Sequence, residues 1–339
     1  MLIDERFYSV RPPQTLSDLL DGMSASLPDS KFEDEIVRTP ALLASSQPYS
    51  FCFLENKKHI ASAETAKATA CFVTEDLASY IGQRHIIPIL SKTPKAHFSR
   101  ATEKLVMLKT LANFPGEAEI DQDAQVHPTA IVGAGAVIGA GTVIGPFCSI
   151  GPGVEIGTNT KIDSNVHIEC ALIGDNCHIK SGAVIGGRGF GVSGDEKGLV
   201  DIVHIGRVLL GDSVTIGSGS CVDKGQLSDT VLEDGVKIDN LVQVGHNVRI
   251  GARTLIAAQV GISGSCDIGC DVIMGGNVGV TDHTKIGDGV SVAARAGVMH
   301  NIPAGETWSG IPAMPIRDHL KMVAAMRRLV KPKKVKDSS

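Results

Sequence analysis

From Leu232 to Val298 an aliphatic residue or Met stands at every sixth position, twelve times without a slip: Leu232, Ile238, Val244, Ile250, Ile256, Ile262, Ile268, Met274, Val280, Ile286, Val292 and Val298. Four residues after each of the first eleven comes a small or β-branched partner, among them Val248, Thr254, Cys266 and Ala296. A period of six matches neither the 3.6 of a helix nor the 2.0 of a simple strand. It matches a parallel β-helix, in which each hexad is one short strand plus a turn and three hexads close a triangular coil. Residues 18 apart then lie above one another, and side-chain neighbours can be read by arithmetic.

The period begins earlier, at Ile120 and Val126, and runs through Val132, Ile138, Ile144, Ile150, Ile156, Ile162 and Ile168. One residue is skipped before Ile173, Ile179 and Ile185. Between Gly186 and Ile205 the register is lost, which predicts a loop thrown out of the coil. Leu210, Ile216 and Val222 restore it, and a short excursion from Asp223 to Val231 precedes the unbroken twelve. The count predicts 27 rungs in nine coils, a prism about 43 Å tall at about 4.8 Å per coil. Pro303 and Pro312 are expected to stop it.

Residues 1–111 lack the period and read as a small α/β domain. Phe51–Leu54 and Ala70–Val73 read as buried strands, and a helix is expected within Pro94–Leu111. Residues 112–119 read as a linker, 120–313 as the coil with its extruded loop at 187–204, and 314–339 as a basic C-terminal helix and tail. Ile316, Leu320, Val323, Met326 and Leu329 supply the helical stripe.

Composition fits a solenoid, with 43% hydrophobic residues, only 4% aromatics and 38 Gly for a narrow interior with tight corners. The first ten residues lack a basic start followed by an apolar run, and no stretch is long enough to span a bilayer, so a cytoplasmic protein is expected. Cys148, Cys177 and Cys266 fall on small inward positions and read as core fillers. Cys266 and Cys270 find no second Cys/His pair at zinc spacing, so no metal is expected. The net charge of −5 hides a basic C-terminus, with eight Lys/Arg against two Asp from Met314 onward. Without interleaved aromatics this does not read as a nucleic-acid surface.

In the hexad register the second and third residues after the aliphatic fall at a corner and point outward. His246 follows Val244 by two and His283 follows Val280 by three, two coils apart on one edge. Their rungs are separated by about 10 Å. One coil above His246 is Gly264, whose backbone N–H would lie unshielded beside the imidazole. A base and an oxyanion donor are what acyl transfer requires. Corner histidines are also commonly just solvated, and Gly264 alone is equally a tight corner. No Ser-His-Asp or Cys-His nucleophile set and no phosphate loop are visible. An acceptor attacking a thioester directly would need neither.

The run Asp239-Asn240-Leu241-Val242-Gln243-Val244-Gly245-His246-Asn247-Val248 resembles the catalytic segment of the UDP-3-O-acylglucosamine N-acyltransferases of the lipid A pathway. Gly189-Phe190-Gly191, Ile205-Gly206-Arg207-Val208, Asp223-Lys224-Gly225 with Asp229-Thr230, and Phe53-Leu54-Glu55-Asn56-Lys57-Lys58 are similar to further family segments. The resemblance implies a left-handed parallel β-helix forming a homotrimer, with sites between subunits. It implies transfer of a 3-hydroxyacyl chain from acyl carrier protein, on its phosphopantetheine, to the 2-amino group of UDP-3-O-(3-hydroxyacyl)-glucosamine, without another cofactor. His246 would be the general base, Gly264 the oxyanion donor and His283 an assisting His. Asp239 and Gln243 would contact the glucosamine, and Phe53, Asn56 and His59 the uracil. The basic C-terminal helix would receive the acidic carrier protein.

The chain departs from the family pattern at His59 (usually Tyr), Arg188 (usually Asp), Lys224 (usually Arg) and Val203-His204 (usually Pro-Gln). Small residues at Ala293–Gly297 predict a deep acyl groove. The alternatives are another hexapeptide sugar acyltransferase using acetyl-CoA or forming an ester, a γ-type carbonic anhydrase, and a non-catalytic scaffold.

Overall fold

A computed structural model describes residues 3–310 and 313–330. Ile311, Pro312 and the basic tail 331–339 lie outside the described residues. From Glu119 the chain winds into three parallel sheets of ten, nine and nine strands, mostly two residues long. Successive strands visit the three faces in turn, and each pairs in parallel with the strand one coil on, as Val244 does with Ile262 and Ile262 with Val280. The periodic aliphatics fill the interior: Ile168, Ile216, Val244 and Ile250 are wholly buried.

Most corners turn on the third residue after the aliphatic, which takes a left-handed backbone. Asn159, Asn247, Ser265 and His283 have φ of 52°, 60°, 61° and 57° there. Asn tolerates this region better than most residues, and Gly135, Gly235 and Gly289 occupy the same position elsewhere. Just past the turn, an inward hydroxyl often ties neighbouring coils together. Thr254 Oγ1 donates to the Gly269 carbonyl (2.8 Å) and accepts the Val272 N–H (3.2 Å). Thr142, Thr160 and Ser220 make the same pair of bonds. Buried polar groups are thereby satisfied inside a dry core.

Apart from the coils that carry the two excursions, two coils depart from eighteen residues. The skipped residue near Cys170 gives a coil of 17, with Glu155 paired to Leu172. The coil also continues past Val298, where the prolines were expected to end it. Ile302 bridges Ile286, and Thr307–Trp308 adds a tenth strand beside Ser291–Val292. Pro303 is tolerated because the bonds there use the Ile302 N–H, donated to the Lys285 carbonyl, and the Gly305 N–H, donated to Asp288.

Before the coil, Thr39–Pro40, Ser50–Leu54, Ala70–Val73 and Ile87–Leu90 form a four-stranded parallel sheet. Helix Pro94–Leu105 packs on it, Phe98 meeting Phe51 and Phe53 at ring-centroid distances of 5.4 and 5.0 Å. Helical spacing through Leu108 and Leu111 is not realised. Val106–Leu108 instead pairs antiparallel with Tyr8–Val10, a tertiary ladder that overrides the local pattern. A C-terminal helix, Ile316–Val330, follows the coil.

The extruded segment folds into a hairpin, Val192–Asp195 with Gly198–Asp201, laid against helix Pro94–Leu105. Arg100 grips Asp195 with two N–H groups, His97 Nε2 is 3.2 Å from Glu196, and the Val203 N–H donates to Ser99 Oγ (3.3 Å). The N-terminal domain therefore holds the loop in place over the coil.

Thr254→Val keeps the shape of the side chain but removes both hydroxyl bonds. It is expected to cost about 1–3 kcal/mol, read as a lower denaturant midpoint in equilibrium unfolding.

Candidate functional site

One cleft of about 1130 Å³ runs up the corner that carries His246, and its lining includes Gly264, His283 and Gln243. Arg188, Gly189 and Phe190 of the extruded loop and Lys95 at the start of helix Pro94–Leu105 border it. The corner stacks as the period requires: the Ser265 N–H donates to the His246 carbonyl (2.8 Å) and the His283 N–H to the Gly264 carbonyl (3.2 Å).

The His246 tautomer follows from its neighbours. Asn247 Nδ2 donates to the Ser228 carbonyl (3.1 Å) and to Ser228 Oγ (2.8 Å), and Asn247 Oδ1 accepts the Gln226 N–H (3.0 Å). The amide orientation is thus fixed with oxygen toward the imidazole. His246 Nδ1, 2.9 Å from that oxygen, must carry the proton. Nε2 is left with its lone pair facing Gly264.

Gly264 is there for space. A Cβ on it would stand 2.6 Å from His246 Nε2, so any side chain would push the imidazole aside. Among the described residues its N–H has no protein acceptor. A ring nitrogen with its lone pair and a glycine whose N–H is unused therefore lie side by side in the lining of the cleft. That is the pair needed to take a proton from a nucleophile and to hold an oxyanion.

Two ionisable groups back the site. Asp223 accepts from Gln243 Nε2 (2.9 Å), and burial raises its carboxyl above the usual range against the opposing pull of that bond and of His246. His204 is buried, with its ring edge-on to His246 at 4.9 Å between centroids and 62° between planes. Burial first, then the His246 imidazole, lowers its pKa to about 4.

Not every residue anticipated for the site meets at this cleft. Asp239 follows strand Lys237–Ile238 of the ten-stranded face and lines a separate groove with Ile256 and Ala257. Phe53 is half-buried against Phe98, and Asn56 accepts the Lys58 N–H (2.9 Å) to cap the turn Lys57–Ala63. His59 is exposed on that turn, and none of these three borders the cleft. Asn247, Ser228, Gln226, Asp223 and His204 were not singled out as site residues from sequence. Asn247 carries a usable signal beside His246 at the left-handed corner, as do Asp223 and His204 in the stretches compared with the family. The others lie on excursions that the period does not place.

The three-sided coil of hexads makes this a hexapeptide-repeat protein. The family described as bacterial transferase hexapeptide (six repeats) matches residues 137–170, 153–187 and 229–264. The UDP-3-O-acylglucosamine N-acyltransferase of Caulobacter sp. (strain K31) is 41% identical over 328 residues, 96% of each chain. That of Caulobacter vibrioides (strain NA1000 / CB15N) is 44% identical over 330 residues, 96% of this chain and 97% of the relative. The solved Francisella novicida UDP-N-acetylglucosamine acyltransferase is 27% identical, covers 63% of this chain and 75% of its own, and superposes with a TM-score of 0.47. The chain belongs to the UDP-3-O-acylglucosamine N-acyltransferase family, and its coil is the left-handed β-helix of hexapeptide transferases.

His204 links the site to stability. An unfolded His takes a proton near pH 6.5, whereas the folded one waits until about 4. Between those values the unfolded chain binds more protons, so stability falls as pH drops from 6.5 toward 4. Melting temperature followed from pH 7 to 4.5 should decline less steeply in His204→Phe than in wild type.

Proposed function

We propose that the protein transfers a 3-hydroxyacyl chain from acyl carrier protein to the 2-amino group of UDP-3-O-(3-hydroxyacyl)-glucosamine. The observation that carries this is the Gly264 corner: an imidazole fixed with its lone pair outward beside an N–H that the fold does not use. The sugar amine attacks the thioester carbonyl, and a C–N bond forms. His246 Nε2 takes the amine proton while the Gly264 N–H holds the oxyanion. Collapse breaks the C–S bond, and the proton on His246 leaves with the pantetheine thiol. His283, exposed two coils above, assists from the same edge. Gln243 and Asp239 hold the glucosamine, and Phe53, Asn56 and His59 take the uracil. No cofactor beyond the donor's phosphopantetheine enters the reaction.

The dispersed residues support a homotrimer whose neighbouring subunits complete each site. Apolar Ile131, Val137, Val143, Leu255 and Ile273 are exposed on the coil's faces, where a partner face would cover them. Arg317, Lys321, Arg327 and Arg328 on the C-terminal helix suit an acidic carrier protein. Among the described residues no helix is long and apolar enough to cross a membrane. The proposed donor and acceptor place the enzyme in the cytoplasm.

Mass spectrometry of wild-type reactions with UDP-3-O-acylglucosamine and acylated carrier protein should show the diacyl UDP-glucosamine. His246→Ala should lower turnover by about 10²-fold or more with the assembly unchanged by size-exclusion chromatography; near-wild-type turnover refutes the assignment. Acetyl-CoA as donor, or UDP-N-acetylglucosamine as acceptor, should give no product.

Gly261, Gly279 and Gly297 stack in register along the cleft, each with open space where a Cβ would lie. This supports a groove for a long acyl chain. Across a series of acylated carrier proteins, kcat/KM should rise with chain length, and a sharp preference for short chains would end that reading.

A further inference from the structure

We propose that His204 is a positioning residue for the transfer: its ring, pinned from behind by the extruded hairpin, holds the His246 imidazole in the plane that brings Nδ1 to Asn247 and Nε2 to Gly264. The inference rests on the function proposed above and adds to it a residue that the proposed steps do not use.

His204 closes the hairpin, coming directly after Ile202 and Val203 on the return to the coil. Its own orientation is fixed, because Nδ1 lies 2.8 Å from the Ile202 carbonyl and must donate to it. Nε2 is consequently an acceptor, and it is buried without a partner among the described residues. An orphaned buried acceptor is costly, and an apolar ring of similar size would avoid that cost. The ring is held there by everything around it. The Val203 N–H is tied to Ser99, the hairpin to Arg100 and His97, and Arg188 Nε and Nη2 also reach the Ile202 carbonyl (3.3 and 3.2 Å). From the open side Gly189 presses in. A Cβ there would come within 2.8 Å of both His204 Nε2 and His246 Cβ, so the loop backbone closes directly on the two rings.

The contact matters because His246 has few other restraints. Asn247 fixes one ring nitrogen, and rotation about that bond is limited only by what lies against the ring face. The His204 ring is what packs there, 4.9 Å from the imidazole between centroids. Since it stays neutral around pH 7, its pKa held near 4, it packs against the base without adding a charge that would oppose protonation of His246. The N-terminal domain thereby reaches the reacting nitrogen through helix Pro94–Leu105, the hairpin and one ring.

The test compares His204→Ala and His204→Phe in the full-length assembly, after wild-type N-acyltransfer has been shown. Absence of wild-type activity would sink the proposed function, whereas the two substitutions judge His204 alone. With both substrates saturating, His204→Ala should lower kcat by about tenfold or more while both KM values stay within about twofold of wild type. His204→Phe keeps the ring, and Arg188 still satisfies the Ile202 carbonyl, so it should recover most of that loss. The proposal is overturned by wild-type kcat in His204→Ala, by a loss confined to KM, or by His204→Phe being as impaired as His204→Ala. Should His204→Ala fail to assemble, His204→Leu, filled but ringless, takes its place with the same readings.

Discussion

Everything in this molecule depends on the hydrogen bonds that join one coil to the next. Each two-residue strand is too short to persist alone, and its polar backbone is satisfied only by the strands above and below. The ladder fixes the vertical spacing, the inward aliphatics fix the cross-section, and the left-handed corner residue fixes the turn. Once these repeat, a side chain's height and edge follow from its number. Evolution needs only two residues on one edge, His246 and Gly264 one coil apart, to place an imidazole beside a glycine backbone. The coil supplies their separation without further design.

The coil alone does not finish the site. His246 is oriented by Asn247, whose amide is in turn oriented by Gln226 and Ser228 of the short excursion after Asp223. Its face is closed by His204 and Gly189 of the long excursion. Arg207 binds the region together, pairing with Asp229 through two N–H groups and reaching Asp4 near the N-terminus (2.9 Å). The two breaks in the period are thus where the solenoid acquires specificity. The regular part brings backbone geometry, and the irregular part brings side chains that regular rungs would point elsewhere.

This division also explains what could be read in advance. The hexad period prescribes strand positions because inward residues must be aliphatic or small, and that constraint is written at every rung. It extends to the corner: His246 and Gly264 are one count of eighteen apart, and His283 falls one place past the next, on the same edge. It fails where the chain leaves the register. Nothing local announces that His204 returns edge-on to His246, or that Asn247 faces Gln226, because those contacts depend on loop paths. Val106–Leu108 is lost to helical spacing for a related reason, its partner strand lying about a hundred residues earlier at Tyr8–Val10. Thr307–Trp308 escapes the count because its coil closes two residues short, which a search for six-residue spacing passes over.

The uneven coils have a consequence for how such a chain can change. Among coils free of excursions, most close in eighteen residues, one in seventeen near Cys170 and the last in sixteen at Ile302. Both shortfalls are absorbed in turns, while the inward aliphatics above and below stay aligned. The prism therefore behaves like a screw thread. Whole turns can be added or removed and the storeys beyond merely rise or descend, whereas a lone residue slipped into a strand would rotate every later edge away from its neighbours. Lineages of this architecture should accordingly drift in length by whole storeys, and keep their lesser gains and losses at the bends.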